Sequence, residues 1–247
     1  MKKIVIIGMG NMGSAVHDQL HFFDQFDVVG CNRHSDTKAE LYDADIAIIA
    51  VKPQSARELF ESFSGIFEHK LVLSIMAGVT LHRLSVLSGA KKVVRCMPNL
   101  GVKLGKGVTG WIACEDVSDS EKDVVKKILG VMGLEVELKT EEDIDRIAAI
   151  SGSGPAYFFY LTELLTQKAV KLGFDPDMAE KIAKQTLVGS VELLLQGNKS
   201  TEEWRASVTS KGGTTQAAFG HMTNHNFDTI FFDALDAAIA RAKELNA

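Results

Sequence analysis

Apolar residues follow two different rhythms along this chain. Through the first half they come in short, nearly unbroken runs rich in Val and Ile, at residues 3–7, 27–31, 45–51, 70–75 and 92–96. Runs of this kind predict strands covered on both faces, as in a parallel sheet. Helical periodicity fills the gaps, over residues 12–22, 55–63 and 81–87. Alternation of this sort predicts a doubly wound α/β sheet with right-handed crossovers. Two further strands, 108–113 and 135–138, flank a helix over 120–132 whose start is marked by Ser118 or Ser120 ahead of an acidic turn. Beyond residue 150 strand signals almost vanish, and helices are predicted over 156–171, 177–195, 201–206, 216–219 and 227–245. The chain therefore reads as an α/β domain over 1–150 followed by an all-helical domain over 151–247.

The helices of the second half are apolar around much of their circumference. Phe158, Phe159, Leu161, Leu164 and Leu165 crowd one, and Leu187, Val188, Val191, Leu194 and Leu195 another. A helix apolar all round must be buried all round. A domain this small cannot bury them all by itself, which predicts a homodimer through the helical domain; packing onto the first domain is the alternative.

The chemistry begins at the end of the first strand. Gly8-Met9-Gly10-Asn11-Met12-Gly13 stands between a strand and a helix, the setting in which Gly-x-Gly-x-x-Gly marks a dinucleotide site. Gly8 permits the tight turn, Gly10 admits a pyrophosphate, and Gly13 lets helix and strand pack closely. Free N–H groups at the helix start then hold the phosphates. An acid that would bind the ribose hydroxyls is missing from the end of the second strand, where Asn32, Arg33, His34 and Ser35 follow Cys31. Asn32, Arg33 and Ser35 stand where a 2′-phosphate would sit, and guanidinium clasps phosphate well. This favours NADP(H), with NAD(H) as the second choice; a turn-shaping Asn32 and a solvated Arg33 are the plainer reading.

The remaining strand ends face the same crevice. Val51, Lys52 and Pro53 end the third, Ala77 follows the fourth, and Met97 and Asn99 close the fifth. Lys52 is read either as a phosphate or ribose contact or as a surface lysine. Met97 packs against a nicotinamide or fills core. Asn99 holds a loop or a ligand. In the second half, Val208-Thr209-Ser210-Lys211-Gly212-Gly213-Thr214-Thr215 combines hydroxyls and glycines ahead of a helix, which suits a substrate carboxylate, with Thr215 placed to hydrogen-bond a reacting atom. Ser151-Gly152-Ser153-Gly154-Pro155 reads as a small-residue loop at the domain junction.

Bulk properties narrow the function further. The chain has 247 residues, with 46% hydrophobic and 24% charged, and a net charge of −5 without a basic run, which argues against nucleic acid. The opening apolar run is too short to span a bilayer or act as a signal peptide. Cys31, Cys96 and Cys114 lie far apart without metal spacing, and His221 and His225 are separated by a helix break at Asn224, so no metal site and a cytoplasmic location are expected.

Taken together, these blocks resemble the pyrroline-5-carboxylate reductase family over nearly the whole chain. The resemblance rests on the glycine turn, Val51-Lys52-Pro53-Gln54, Met97-Pro98-Asn99, Ser151-Gly152-Ser153-Gly154-Pro155-Ala156-Tyr157, and Val208-Thr209-Ser210-x-Gly212-Gly213-Thr214-Thr215. It implies an N-terminal Rossmann-type domain binding NAD(P)H and a helical dimerisation domain. The implied reaction reduces the ring C=N of Δ1-pyrroline-5-carboxylate to L-proline. It also implies interlocked dimers, assembling up to a decamer of five dimers. Ser210, Gly212, Gly213 and Thr214 would bind the substrate carboxylate, and Thr215 would partner the ring nitrogen. Two positions depart from the family pattern: Leu100-Gly101 replaces Thr-Pro, and Lys211 replaces the proline of Ser-Pro-Gly-Gly. A reductase of a related cyclic imine, or an NADP-binding regulatory protein without turnover, fits the same fold.

Overall fold

Alternation along the first strand builds two cores at once. In β1 (Lys2–Ile7), Ile4 and Ile6 enter one buried cluster while Val5 and Ile7 enter another on the opposite face. Successive strand side chains point to opposite faces, so a run apolar at every position must be covered twice. The computed structural model describes residues Met1–Leu245. It continues with α1 (Asn11–His21), β2 (Phe26–Cys31), α2 (Thr37–Tyr42), β3 (Ile46–Ile49), α3 (Ala56–Ser62), β4 (Leu71–Ser74), α4 (Leu81–Ser88) and β5 (Lys92–Pro98). Then come β6 (Gly107–Ala113), α5 (Asp119–Gly130), β7 (Gly133–Glu137) and α6 (Glu141–Ile147). The seven strands lie in the order β2-β1-β3-β4-β5-β6-β7. Helices α1 and α5 cover one face, and α3 and α4 cover the other.

The first five strands are parallel, as the alternation predicts. β6 then pairs antiparallel with β5, and β7 runs parallel to β6. The reason is the connection after β5, which holds only the short 3-10 turn Leu100–Leu104. Parallel neighbours need a crossover of about a dozen residues or more.

Two helices escape the sequence reading. Six-residue α2 is capped by Asp36, whose carboxylate accepts from Ala39 N at 3.2 Å. In α6, Thr140 and Asp143 form a reciprocal capping box. The expected loop at 151–155 is instead helical: a π turn, Ala148–Gly152, closed by Ser153 N donating to Ala148 O at 2.8 Å, leads almost directly into α7 (Gly154–Lys171). Of the two serines proposed to cap α5, Ser118 does so, in a capping box with Glu121.

By internal contacts the chain divides into two units. One comprises Met1–Pro155 together with the stretch from Asp236, and the other is Ala156–Leu235. The second holds α7, α8 (Pro176–Leu195), α9 (Thr201–Ser207), α10 (Thr214–Asn224) and the start of α11 (Phe227–Leu245). Asp175 caps α8 through Asp177 N and Met178 N, with Pro176 at the first helical position, where its missing N–H costs nothing. The last turns of α11 return to the sheet unit: Lys243 pairs with Glu142 at 2.6 Å, and the Leu245 carbonyl lies against Gly78. Among the described residues no helix is long and apolar enough to cross a membrane.

Candidate cofactor and substrate sites

The turn after β1 is shaped by what its glycines exclude. Gly8 has φ +105, and a Cβ on it would lie 2.8 Å from the Ala50 backbone. A Cβ on Gly13 would run into the Gly8 carbonyl. Both glycines are required by the protein's own packing. Gly10 differs: a Cβ there would meet nothing within 4 Å. The space in front of Gly10 is open, and α1 begins behind it with no side-chain cap. The N–H groups of Asn11 and Met12, the first residues of that helix, therefore face outward without a cap, which is the donor set a diphosphate requires. The residues present fit the group.

Around this turn the strand ends form a rim. After β2, Asn32 Oδ1 accepts from His34 N at 2.8 Å, and Asn32 N donates to Ser35 Oγ at 3.0 Å. These bonds fold residues 32–35 into a closed turn and leave Arg33 exposed, with no ion pair among the described residues. After β3, Val51 is half-buried, Lys52 is exposed, and Pro53 opens a 3-10 turn. After β4, Ala77 is exposed beside Gly78, whose φ of +71 and contact with Leu245 leave no room for a side chain.

Asn99 explains the end of β5. Its Oδ1 accepts from Gly101 N at 3.0 Å and Val108 N at 3.2 Å, and its Nδ2 donates to Ser151 O at 3.0 Å. The amide oxygen thus fastens the turn after β5 to the start of β6, and the amide nitrogen holds the π turn. Met97 is half-buried, and its Cε would stand 3.1 Å from a Cβ on Gly152, so the small residues of the π turn make room for that side chain.

One further device went unread in the sequence. Arg95, only 3% exposed in mid-strand β5, pairs with Glu141 at 3.0 Å and Asp145 at 3.3 Å on α6. Glu141 also accepts from Leu81 N at 2.9 Å, joining the starts of α4 and α6. A lone arginine in an apolar strand was the signal, since buried charges need partners. Neither Cys31 nor Cys96 has the character of a nucleophile. Burial pushes the Cys31 thiol up, and complete burial pushes Cys96 far above the ordinary thiol range.

In the helical unit, the loop before α10 is a tight turn. Gly213 N donates to Ser210 O at 3.0 Å, with Lys211 and Gly212 at its corners. Gly212 has φ +75, the conformation a type II turn demands at its third residue, where proline commonly precedes it. Gly212 N donates to Gln216 Oε1 at 2.6 Å. The N–H groups of Gly212 and Gly213 therefore shape the turn. A Cβ on Gly213 would collide with the Ser210 hydroxyl. α10 begins without a side-chain cap, so the Thr214 and Thr215 N–H groups are the open donors. The Thr215 hydroxyl has no partner among the described residues, and Lys211 is exposed and unpaired there. Farther along α10 and just beyond its end, the His221 and His225 rings stack 4.0 Å apart, and His225 Nδ1 lies 2.8 Å from His221 O.

Comparison with known proteins brings both halves together. A profile described as pyrroline-5-carboxylate reductase dimerisation matches residues 141–245, and one described as NADP oxidoreductase coenzyme F420-dependent matches residues 21–78. The pyrroline-5-carboxylate reductase of Pseudomonas aeruginosa is 35% identical over 205 residues, covering 82% of this chain and 75% of that one. That of Vibrio alginolyticus is 32% identical over 99% of this chain and 97% of its own length. Among solved structures, a pyrroline-5-carboxylate reductase from Coxiella burnetii superposes with a TM-score of 0.89 at 33% identity, covering 99% of this chain and 98% of that one. The pyrroline carboxylate reductase of Plasmodium falciparum, with NADP bound, gives 0.88 at 26% identity, covering 100% and 98%. A glycine turn open in front of α1, an uncapped α10 behind its hydroxyl-rich turn, and identity running the length of the chain have one common account: the protein belongs to the pyrroline-5-carboxylate reductase family.

Proposed function

We propose that this enzyme reduces the C=N bond of Δ1-pyrroline-5-carboxylate to give L-proline, the last step of proline synthesis, using NAD(P)H. The observation that carries the reading is the uncapped start of α10, with the free hydroxyl of Thr215 beside it. An anion and a neighbouring polar ring atom match that arrangement of donors.

Residues 1–150 hold the dinucleotide, and residues 151–247 supply the substrate site and the dimer interface. The N–H groups of Asn11 and Met12 bind the diphosphate across Gly10, with Gly8 and Met9 shaping the turn. Arg33 clasps the 2′-phosphate from a turn set by Asn32 and Ser35, which makes NADP(H) the preferred cofactor and NAD(H) the second. Val51, Lys52, Pro53 and Ala77 line the crevice, and Met97 packs against the nicotinamide while Asn99 fixes the segments around it. When bound, the reduced nicotinamide supplies the hydride. The carboxylate is held by the Ser210 hydroxyl and the Thr214 and Thr215 N–H groups, with Gly212 and Gly213 fixing the turn. Fixing the acid decides which ring face is presented. Thr215 hydrogen-bonds the ring nitrogen, orienting the substrate; a protonated iminium needs no acid from the protein. The apolar helices pair in a homodimer, and five dimers build a decamer. A cytoplasmic location fits the three free thiols.

Deuterium carried on the transferable position of NADPH tests this directly. It is expected on the former imine carbon of proline, as read by mass spectrometry. Proline formed without deuterium, or no proline at all, overturns the assignment.

A further inference from the structure

The dinucleotide turn has a second wall. A cavity of about 420 Å³ opens beside α1, lined by Met9, Gly10, Asn11 and Ser14 on one side and reached by Asp18 and Lys103. Lys103 belongs to the 3-10 turn Leu100–Leu104, not to any strand end of the rim. Its backbone is held in place from two directions. Gln19 on α1 donates to the Lys103 carbonyl at 3.2 Å, and Asn99 anchors the turn at Gly101 N. Between them Val102 is fully buried against the α1 core. The stem of Lys103 therefore leaves from a fixed point beside α1, in the lining of the cavity that Gly10 and Asn11 share, while its exposed ammonium makes no ion pair among the described residues.

Charge gives this placement its meaning. A diphosphate brings two negative charges, whereas a helix start offers roughly half an elementary positive charge. Lysine binds phosphate as a point charge on a flexible stem. Asp18 is the opposing acid in the cavity. It stands seven residues along α1 from Asn11, roughly 10 Å down the helix at 1.5 Å per residue, and its Oδ1 lies 3.4 Å from His17 Nδ1. Lys103 is thus the cation among the residues that line the cavity.

We infer that Lys103 is a further cofactor-binding residue, its ammonium neutralising the dinucleotide diphosphate held across Gly10 and Asn11. The inference rests on the dinucleotide reading above and assigns Lys103 a phosphate different from that of Arg33. Removal of the Lys103 charge should weaken NADPH and NADH alike, since both carry the diphosphate; removal of Arg33 should weaken NADPH alone.

Fluorescence titration of the full-length protein with NADPH, NADH, ADP-ribose and 2′-AMP tests it. Lys103→Gln is expected to raise Kd about five- to twentyfold for NADPH, NADH and ADP-ribose. It should leave 2′-AMP, which has no diphosphate, within about twofold and flatten the salt dependence of Kd. Lys103→Arg is expected to restore most of the affinity, and thermal unfolding of both variants should match the wild type. Unchanged NADPH and NADH affinities in Lys103→Gln overturn the inference while leaving the cofactor reading standing. Equal weakening of 2′-AMP and NADPH overturns it as well. Failure of the wild type to bind any dinucleotide overturns the cofactor reading and this inference together.

Discussion

In the sheet unit, Trp111, Phe67, Ile4 and Leu84 are completely removed from solvent, whereas in the helical unit Phe158, Phe159 and Tyr160 remain 56%, 60% and 58% exposed. Both units spend many large apolar residues, but only one has somewhere to put them. The sheet offers two faces, and α1, α5, α3 and α4 close them, so every residue of β3 and β4 is buried. In α8 only Ala179 and Ala183 are buried, and Val188, Val191 and Leu194 look outward. Burying each such side chain stabilises by about 1.5–3 kcal/mol. Exposed apolar residues gathered on one set of helices mark an interaction surface. The contrast separates a unit that completes its own core from one that leaves large apolar side chains open, the surface on which the proposed homodimer would form.

Charge placed on exposed apolar residues of each unit should affect the two units differently. Phe159→Asp or Val191→Asp is expected to abolish the dimer and, with it, most of the helical unit's resistance to heat. Sedimentation velocity and circular dichroism would register both losses. Val86→Asp, on α4 of the sheet unit and more open still at 67% exposed, is expected to change neither. Retention of the dimer by both helical variants would show that those faces are not the interface.

Next in size comes the buried ion cluster of the sheet unit. Arg95→Met removes the cation facing Glu141 and Asp145 and should destabilise by about 3–5 kcal/mol, because the buried Asp145 loses its opposing charge. Thermal unfolding measures it, and a loss below about 1 kcal/mol would show the cluster to be dispensable. In the helical unit, Thr215→Ala should lower turnover by about ten- to a hundredfold, the worth of one strong hydrogen bond at the reacting atom. Its melting temperature should hold; full turnover would remove Thr215 from the mechanism. The smallest effect separates the cofactors. Arg33→Ala should raise the Michaelis constant for NADPH about tenfold and leave that for NADH within about twofold. Equal effects would detach Arg33 from the 2′-phosphate.

What was legible in the sequence was local. The run at residues 3–7 reads as a doubly covered strand because every position is apolar, and Gly8, Gly10 and Gly13 read as a turn because the strand and helix sit in register around them. Ser118 announces α5 through Glu121 three residues on. What stayed hidden depended on distant partners. The stretch 151–155 has the composition of a loop, yet Asn99 clasps Ser151 and the π turn carries it into α7. Arg95 finds its acids 46 and 50 residues away, and Lys103 joins the lining of the cavity beside the glycine turn only because its 3-10 segment packs along α1. The reversal of β6 was readable in principle from the short link after β5. Asn32 was read two ways; its side chain accepts from His34 N within the turn, and Arg33 beside it is exposed.

The central claim is that these two units together reduce Δ1-pyrroline-5-carboxylate. Its most direct test is the loss of NADPH absorbance when that imine is added to the purified protein, repeated with NADH and with proline formation followed in parallel. Rapid, stoichiometric conversion to proline, faster with NADPH, is the predicted result. Stable NADPH in the presence of the imine, with dinucleotide binding intact, would contradict it.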